Sequence, residues 1–303
     1  MTFSLTVLGS SSAIPTLTRN PSAHLLNVNE RLFLIDCAEG TQLQLRRYHA
    51  HIQRLKHIFI SHLHGDHFYG LIGLLTTMHL LGRREELHVY AHPLLEEIID
   101  SQLQASQSTL LYPLHFHPLR SDHYEKVYED AGMTVHSFPV VHSVPTNGFI
   151  FREKMQERKI RKDILGKVDI PVSEMSEIKK GKDYIDEEGV VYENSTLTID
   201  PPKPRSFAYC SDTVYTETII PYIQNCDLLY HEATFMQEMA AIAKEKMHST
   251  ALEAATIAEK SHVNRLIIGH FSARYDDLQP LLDEARTIFP ETYLAEDGSV
   301  FQV

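Results

Sequence analysis

At 303 residues, 43% hydrophobic and 22% charged, the chain is long enough to bury one large core, and its formal net charge of −12 excludes a broadly basic nucleic-acid surface. The three cysteines, Cys37, Cys210 and Cys226, lie far apart with no CxxC pair, which excludes a disulfide framework and a cysteine zinc site. No stretch reaches the roughly 18 consecutive apolar residues of a membrane span, and MTFSLTVLGSSSAIPT has neither the basic start nor the apolar centre of a signal peptide, so a soluble cytoplasmic protein with no membrane partner is expected.

In chain order, strand-like runs are SLTVLG (4–9), RLFLID (31–36), KHIFIS (56–61), LHVYA (87–91), SFPVVH (137–142), SFAYC (206–210), CDLLYHEA (226–233) and RLIIGHF (265–271). Several end in a polar or ionisable residue, as expected where strand ends open on a site. Helical patterns fall between them at 68–82, 93–104 and 248–261, the last with Thr250 and Glu253 spaced as a capping box. The layout is α/β.

Between Gly148 and Arg205 charge density rises, periodicity weakens, and IDPPKPR (199–205) closes the stretch with three prolines. Residues 151–203 read as an insertion that projects from a domain made of 1–150 and 204–303, mobile and without a fold of its own. From Arg152 to Lys182 ten Lys and Arg face six Asp and Glu, a local +4 that leaves −16 on the rest of the chain. Such a basic element on an acidic body can hold a polyanion by one handle; a solvated mixed-charge helix is the competing reading.

The stretch SHLHGDH (61–67) places His62, His64, Asp66 and His67 within six residues after an apolar run. Alternation along an extended chain points His62, His64 and Asp66 one way, and Gly65 permits the turn that His67 needs. Four such groups crowded together repel when charged and are hard to satisfy when buried unless a cation collects them. Among the 19 histidines, others such as His24, His88, His115 and His117 read as surface or satisfied core residues. His142, Asp212 and His270, each near the end of an apolar run, complete seven candidate ligands in the proportions of a di-zinc hydrolase. His62, His64 and His142 would hold one metal and Asp66, His67 and His270 the other, with Asp212 between them.

This order of ligands resembles the metallo-β-lactamase superfamily. LGSSSAIPTLTRNPSA (8–23), FLIDCAEGTQLQLRR (33–47), SHLHGDHFYGLIGLLTTMHLLGR (61–83), LLYHEATF (228–235), HSTALEAATIA (248–258) and IIGHFSARY (267–275) resemble, more narrowly, the ribonuclease Z family, which trims the 3′ ends of precursor tRNAs. The resemblance implies an αββα sandwich with an inserted, protruding arm that binds tRNA, and two Zn²⁺ per subunit held by His62, His64, Asp66, His67, His142, Asp212 and His270. It makes Asp66 the proton acceptor and His248 the donor to the leaving oxygen, with His231 and Glu232 as supports behind them. Arg274 would face the substrate phosphate, and Lys159, Arg161 and Lys162 of the insertion would grip the tRNA remote from the cut. The resemblance further implies a homodimer and hydrolysis that leaves a 3′-hydroxyl on the tRNA and a 5′-phosphate on the trailer. The chain departs from the family in its arm, whose glycine- and proline-rich tip is reduced to ILGKVDIPV (164–172). The alternatives are a general zinc phosphodiesterase acting on small substrates, against which the basic insertion argues, and a non-catalytic metal-binding RNA scaffold, which would not need His248.

Overall fold

The computed structural model describes residues 2–303. Two seven-stranded sheets carry the core. Across the first, the order is Val300–Gln302, Phe3–Gly9, Ala23–Val28, Arg31–Cys37, Leu55–Phe59, Leu87–Ala91 and Leu114–Pro118. Across the second it is Thr292–Leu294, Leu266–Gly269, Leu228–Glu232, Ser206–Cys210, Asn147–Glu153, Met133–Pro139 and Glu125–Glu129. Phe59 and Phe151 of the two sheets meet edge to face at 5.5 Å, and Phe59 also meets Phe149 at 5.4 Å, so aromatic side chains fill the space between the inner faces. On the outer face of the first sheet, Leu45, Leu71, Leu74, Leu75, Met78, Leu95 and Ile99, from helices Thr41–Arg47, Leu71–Leu80 and Leu94–Ala105, pack on Leu34, Ile58 and Val89. Helix Ala251–Lys260 covers the second sheet, and Thr250 and Glu253 close the expected capping box at its start.

Each sheet contains a parallel run: Arg31–Cys37 through Leu114–Pro118 in the first, Ser206–Cys210 through Thr292–Leu294 in the second. Parallel strands deliver all their carboxyl ends to one edge, and the candidate ligands follow those ends. The strand expected over 137–142 is longer and earlier, Met133–Pro139, so His142 sits in the loop after it. The single helix expected over 68–82 is split into Gly65–Phe68 and Leu71–Leu80. Strands at Ala23–Val28, Leu114–Pro118 and Asn147–Glu153 were not evident from pattern; AHLLNV and NGFIFRE are buried on both faces and show little alternation.

A second compact unit comprises residues 129–134 and 152–204. It is more ordered than its weak periodicity suggests: helix Val172–Lys179 and two short strand pairs surround a core of Ile170, Ile178, Tyr184 and Leu197. Buried Asn194 ties it together, its side-chain amide donating to the carbonyls of Ile178 and Lys182 at 2.6 and 2.7 Å. Single apolar residues from a loop, two short helices and a short strand, Ile170, Ile178, Leu197 and Tyr184, make this core, which is why no periodicity reveals it.

Gly70 seats the helix that follows the ligand motif. Its N–H donates to the Cys37 carbonyl at 2.9 Å, and a Cβ there would stand 1.9 Å from the Ala38 oxygen. Gly70→Ala is expected to cost about 2–3 kcal/mol through backbone overpacking, seen as a Tm several degrees lower. An unchanged Tm would show that the helix can slide away without loss.

Candidate metal centre

His62 and His64 lie on extended chain leaving strand Leu55–Phe59; at His64 the chain turns into Gly65–Phe68, one helical turn carrying Asp66 and His67. Strand alternation therefore holds only as far as His64, and Asp66 shares its surroundings with His67 instead. Two groups of ligand atoms result: His62, His64, His142 and Asp212, and Asp66, His67 and His270, the atoms of each lying within 4.8 Å of one another. Asp212 joins them. Its Oδ2 is 3.5 Å from His62 Nε2 and 3.6 Å from His142 Nε2, while its Oδ1 is 3.3 Å from His67 Nε2 and 3.2 Å from His270 Nε2. His64 presents Nδ1, 3.1 Å from His62 Nε2 and 3.2 Å from His142 Nε2. Bonds of about 2.0–2.1 Å to a tetrahedral ion give ligand–ligand edges of roughly 3.3 Å, the spacing seen here.

The far nitrogens of four of these rings are held by the protein. Nδ1 of His62 meets the Ser61 hydroxyl at 3.0 Å, Nδ1 of His67 the Asp36 carboxylate at 2.8 Å, Nδ1 of His142 the Met247 carbonyl at 2.9 Å, and Nδ1 of His270 the Thr234 hydroxyl at 3.0 Å. With Nδ1–H donating in each case, the Nε2 lone pair is left facing its neighbours. Buried Nε2 of His67 and of His270 has no hydrogen-bond partner among the described residues. Converging ring nitrogens, each of which must either take up a second proton or meet a cation, are an arrangement that a metal ion satisfies, and the nitrogen and carboxylate donor set suits zinc.

Charges within the cluster are strongly coupled. Burial pulls His67 down, but Asp212, Asp36 and Asp66 outweigh it and hold its imidazolium well above the ordinary histidine range. Burial and the neighbouring His67 push His62 well below it. Burial raises Asp212, yet His270, His67 and His62 overcome this and keep it ionised. Asp66 is likewise held low against its burial by His67 and His270, and its Oδ2 accepts the Ala13 N–H at 2.7 Å.

His248 stands beside both groups, within ligand distance of Asp212 and His270. Its Nδ1 donates to Glu232 Oε1 at 2.9 Å, and Glu232 is held in turn by the Thr213 N–H at 2.7 Å and the Thr234 hydroxyl at 2.6 Å. Burial lowers His248, but the Glu232 carboxylate prevails and lifts it to about 9. The site opens into a cleft of about 790 Å³ lined by His64, Asp66, His142, Asp212, His248 and His270, with Ile14, Tyr69, Phe235, Lys246 and Arg274 around them.

Ribonuclease Z of Bacteroides fragilis is 45% identical over 98% of this chain and 97% of its own length. The chain belongs to the ribonuclease Z family. Ribonuclease Z of Cytophaga hutchinsonii is also 45% identical, over 100% of this chain and 97% of that protein. The crystal structure of the short form of human tRNase Z superposes with a TM-score of 0.72 at 26% identity, covering 98% of both chains. The metallo-β-lactamase fold protein YhfI of Bacillus subtilis shares the fold, with a TM-score of 0.70 at 20% identity and full coverage of both chains. A family model described as anti-Pycsar protein Apyc1 matches residues 3–159, which include the HxHxDH stretch and His142 but stop short of Asp212, His248 and His270.

Within this ribonuclease Z family member, the seven expected ligands and His248 thus converge. Arg274 lines the same cleft, its guanidinium 5.0 Å over the Phe235 ring and its Nε donating to the Ser272 hydroxyl. Lys159, Arg161 and Lys162 are exposed residues of the second compact unit, where Arg161 pairs with Asp163 at 3.3 Å. The two members of the HEATF stretch separate: Glu232 holds His248, whereas the His231 ring, on the alternate side of its strand, hydrogen-bonds among the described residues to the Glu232 carbonyl alone, at 2.7 Å. His24 is no satisfied core residue. It is fully buried against the Tyr230 ring at 4.4 Å, neither nitrogen has a partner among the described residues, and burial lowers it to about 3, so it is neutral.

Sequence reasoning assigned no part to Asp36, Ser61 or Thr234. Asp36 accepts from Ser61 N–H at 2.8 Å, Ser61 Oγ–H at 3.0 Å and Tyr209 O–H at 2.7 Å, besides His67. The signal was a carboxylate closing the apolar run FLID. Asp212→Ala removes the carboxylate common to both groups. The wild type should gain about 2.7 kcal/mol of stability when free zinc exceeds Kd 100-fold, read as a rise in Tm that chelation reverses, and the variant should lose that response. A variant that kept it would show that Asp212 is dispensable for metal binding.

Proposed function

We propose that this protein is a zinc-dependent endoribonuclease that removes the 3′ trailer from precursor tRNA in the cytoplasm, leaving a 3′-hydroxyl on the tRNA and a 5′-phosphate on the trailer. The observation that carries this reading is the pair of ligand groups sharing Asp212, with a glutamate-held histidine beside them in one cleft. His62, His64 and His142 would hold one Zn²⁺ and Asp66, His67 and His270 the other. Bound there, the ions supply a lowered pKa for attacking water and neutralisation of charge on the phosphate oxygens. Asp66, its Oδ2 fixed by Ala13 N–H, orients the water and takes its proton. His248, kept protonated by Glu232, gives its proton to the departing 3′-oxygen, and Arg274 meets the phosphate charge. Among the described residues no helix is long and apolar enough to cross a membrane.

Lys159, Arg161 and Lys162 would hold the tRNA by its phosphates and shape without reading bases, the insertion of one copy of a homodimer serving the site of the other. Their exposure and the +4 balance of 152–182 support this.

A labelled precursor tRNA with a 3′ trailer should be cut just 3′ of the discriminator base when zinc is present, whereas an unstructured RNA of equal length should not. Equal cutting of both would move the assignment to a general phosphodiesterase. His248→Ala should lower kcat by about 10²–10⁴-fold while bound zinc, counted by elemental analysis, stays the same; zinc loss would make His248 a ligand instead of an acid. Replacing Lys159, Arg161 and Lys162 together by Ala should raise KM for the precursor and flatten its salt dependence, with hydrolysis of a small chromogenic diester unaltered.

A further inference from the structure

Tyr69 stands at the mouth of the cleft, 65% exposed, immediately after the helical turn that carries Asp66 and His67. An aromatic ring left in water beside so polar a centre loses the benefit of burial that its size would bring. Its position is nonetheless defined. The Tyr69 N–H donates to the Gly65 carbonyl at 3.0 Å, and a Cβ at Gly65 would fall 2.2, 2.6 and 2.7 Å from three atoms of the ring, so the ring lies directly on the backbone at Gly65. Phe68 braces it edge-on at 4.9 Å and 69°. The Tyr69 hydroxyl makes no hydrogen bond to any described residue. The ring is therefore held by packing, not by its polar end.

The same cleft has a second exposed apolar group. Ile14 is 57% exposed, and its loop is fastened to the centre by Ala13 N–H on Asp66 Oδ2 and by Ser11 Oγ–H on the Ile14 carbonyl at 2.8 Å. Asp66 thus has exposed apolar groups on the chain to either side of its contacts, while Lys246 and Arg274 put two cations on the cleft wall. An aromatic face, an aliphatic neighbour and cations match a planar heterocycle joined to a phosphate; a bare phosphate or a small diester would leave Tyr69 and Ile14 uncovered.

We propose that Tyr69 is a stacking platform for one of the two nucleobases that flank the scissile phosphate. This rests on the RNA-cleaving reading above. Every base offers a π-face, so stacking fixes the strand without demanding a sequence, as an enzyme needs when its substrates differ at the cut. Pre-fixing the ring on Gly65 also means that little freedom is lost when a base settles on it.

The test compares wild type, Tyr69→Ala, Tyr69→Leu and Tyr69→Phe on three precursors: one intact, one abasic at the last residue of the tRNA body, one abasic at the first residue of the trailer. Bound zinc and Tm are measured for each variant, and a chromogenic alkyl phosphodiester without a base serves as the control substrate. On the intact precursor, Tyr69→Ala and Tyr69→Leu should lose roughly 5- to 100-fold in kcat/KM, and Tyr69→Phe should match wild type. At one abasic position wild type should lose a similar factor and Tyr69→Ala nothing more; zinc content, Tm and the control rate should not move. Full activity in Tyr69→Leu, or losses that multiply at both abasic positions, would overturn the platform. A wild type that hydrolyses the control but no precursor would overturn the RNA reading itself, and the platform with it.

Discussion

Asp212 faces two imidazole nitrogens with each of its oxygens, and most of what surrounds it follows from that. A carboxylate that is buried and shared in this way is costly unless positive charge stands on both sides of it. The histidines supply part of that charge only by keeping protons, as His67 does, and those protons occupy the lone pairs a metal would use. The centre therefore trades protons for cations. Ligands from widely separated parts of the sequence have to arrive with their nitrogens already aimed, which is the task of the residues behind them.

Those residues form two hydrogen-bonded networks behind the ligands. Ser61 accepts from His62 and donates to Asp36, which also holds His67 and Tyr209; Thr234 accepts from His270 and donates to Glu232, which holds His248. One hydroxyl thus links a metal-facing ring to the carboxylate that governs the candidate acid. Several positions at or behind the ligands use left-handed backbone that non-glycine residues seldom adopt: Ala13, Asp36, Met247 and His270, with φ of 61°, 57°, 57° and 57°. At Met247 that turn brings its carbonyl to His142 while the next residue is His248. Local strain of this kind persists where surrounding contacts over-determine it.

Much of this was legible in the sequence because it is encoded locally. The clustered ligand types in SHLHGDH and the capping box at Thr250 are short-range signals; the box forms as expected and the ligand groups gather, although Asp66 lies on a helical turn and His142 in a loop beyond its strand. What was not legible depends on partners distant in the chain. Asp36 matters through Ser61, His67 and Tyr209, and nothing within FLID tells it from a carboxylate that merely ends a strand. His231 and Glu232 look equivalent in sequence, and only the phase of their strand separates them. In the insertion, the lysines and arginines of 152–182 were visible, but the core around Ile178 and Tyr184 depends on tertiary contacts made by isolated apolar residues.

The loop that reaches Asp66 through Ala13 is itself fastened by Asp297, whose carboxylate accepts from Ser10 Oγ–H, Asn20 N–H and the Asn20 side chain at 2.9, 2.8 and 3.0 Å. Strand Phe3–Gly9 before the loop is bordered by Val300–Gln302, so two segments far apart in the sequence share one edge of the sheet. During synthesis, residues 10–20 leave the ribosome long before Asp297, 277 residues beyond Asn20, exists. Such non-local closure is slow and comes late in folding. A nascent chain would expose the histidines of SHLHGDH without the loop that completes their surroundings, so nuclease activity would be withheld from the growing polypeptide until Asp297 has been made.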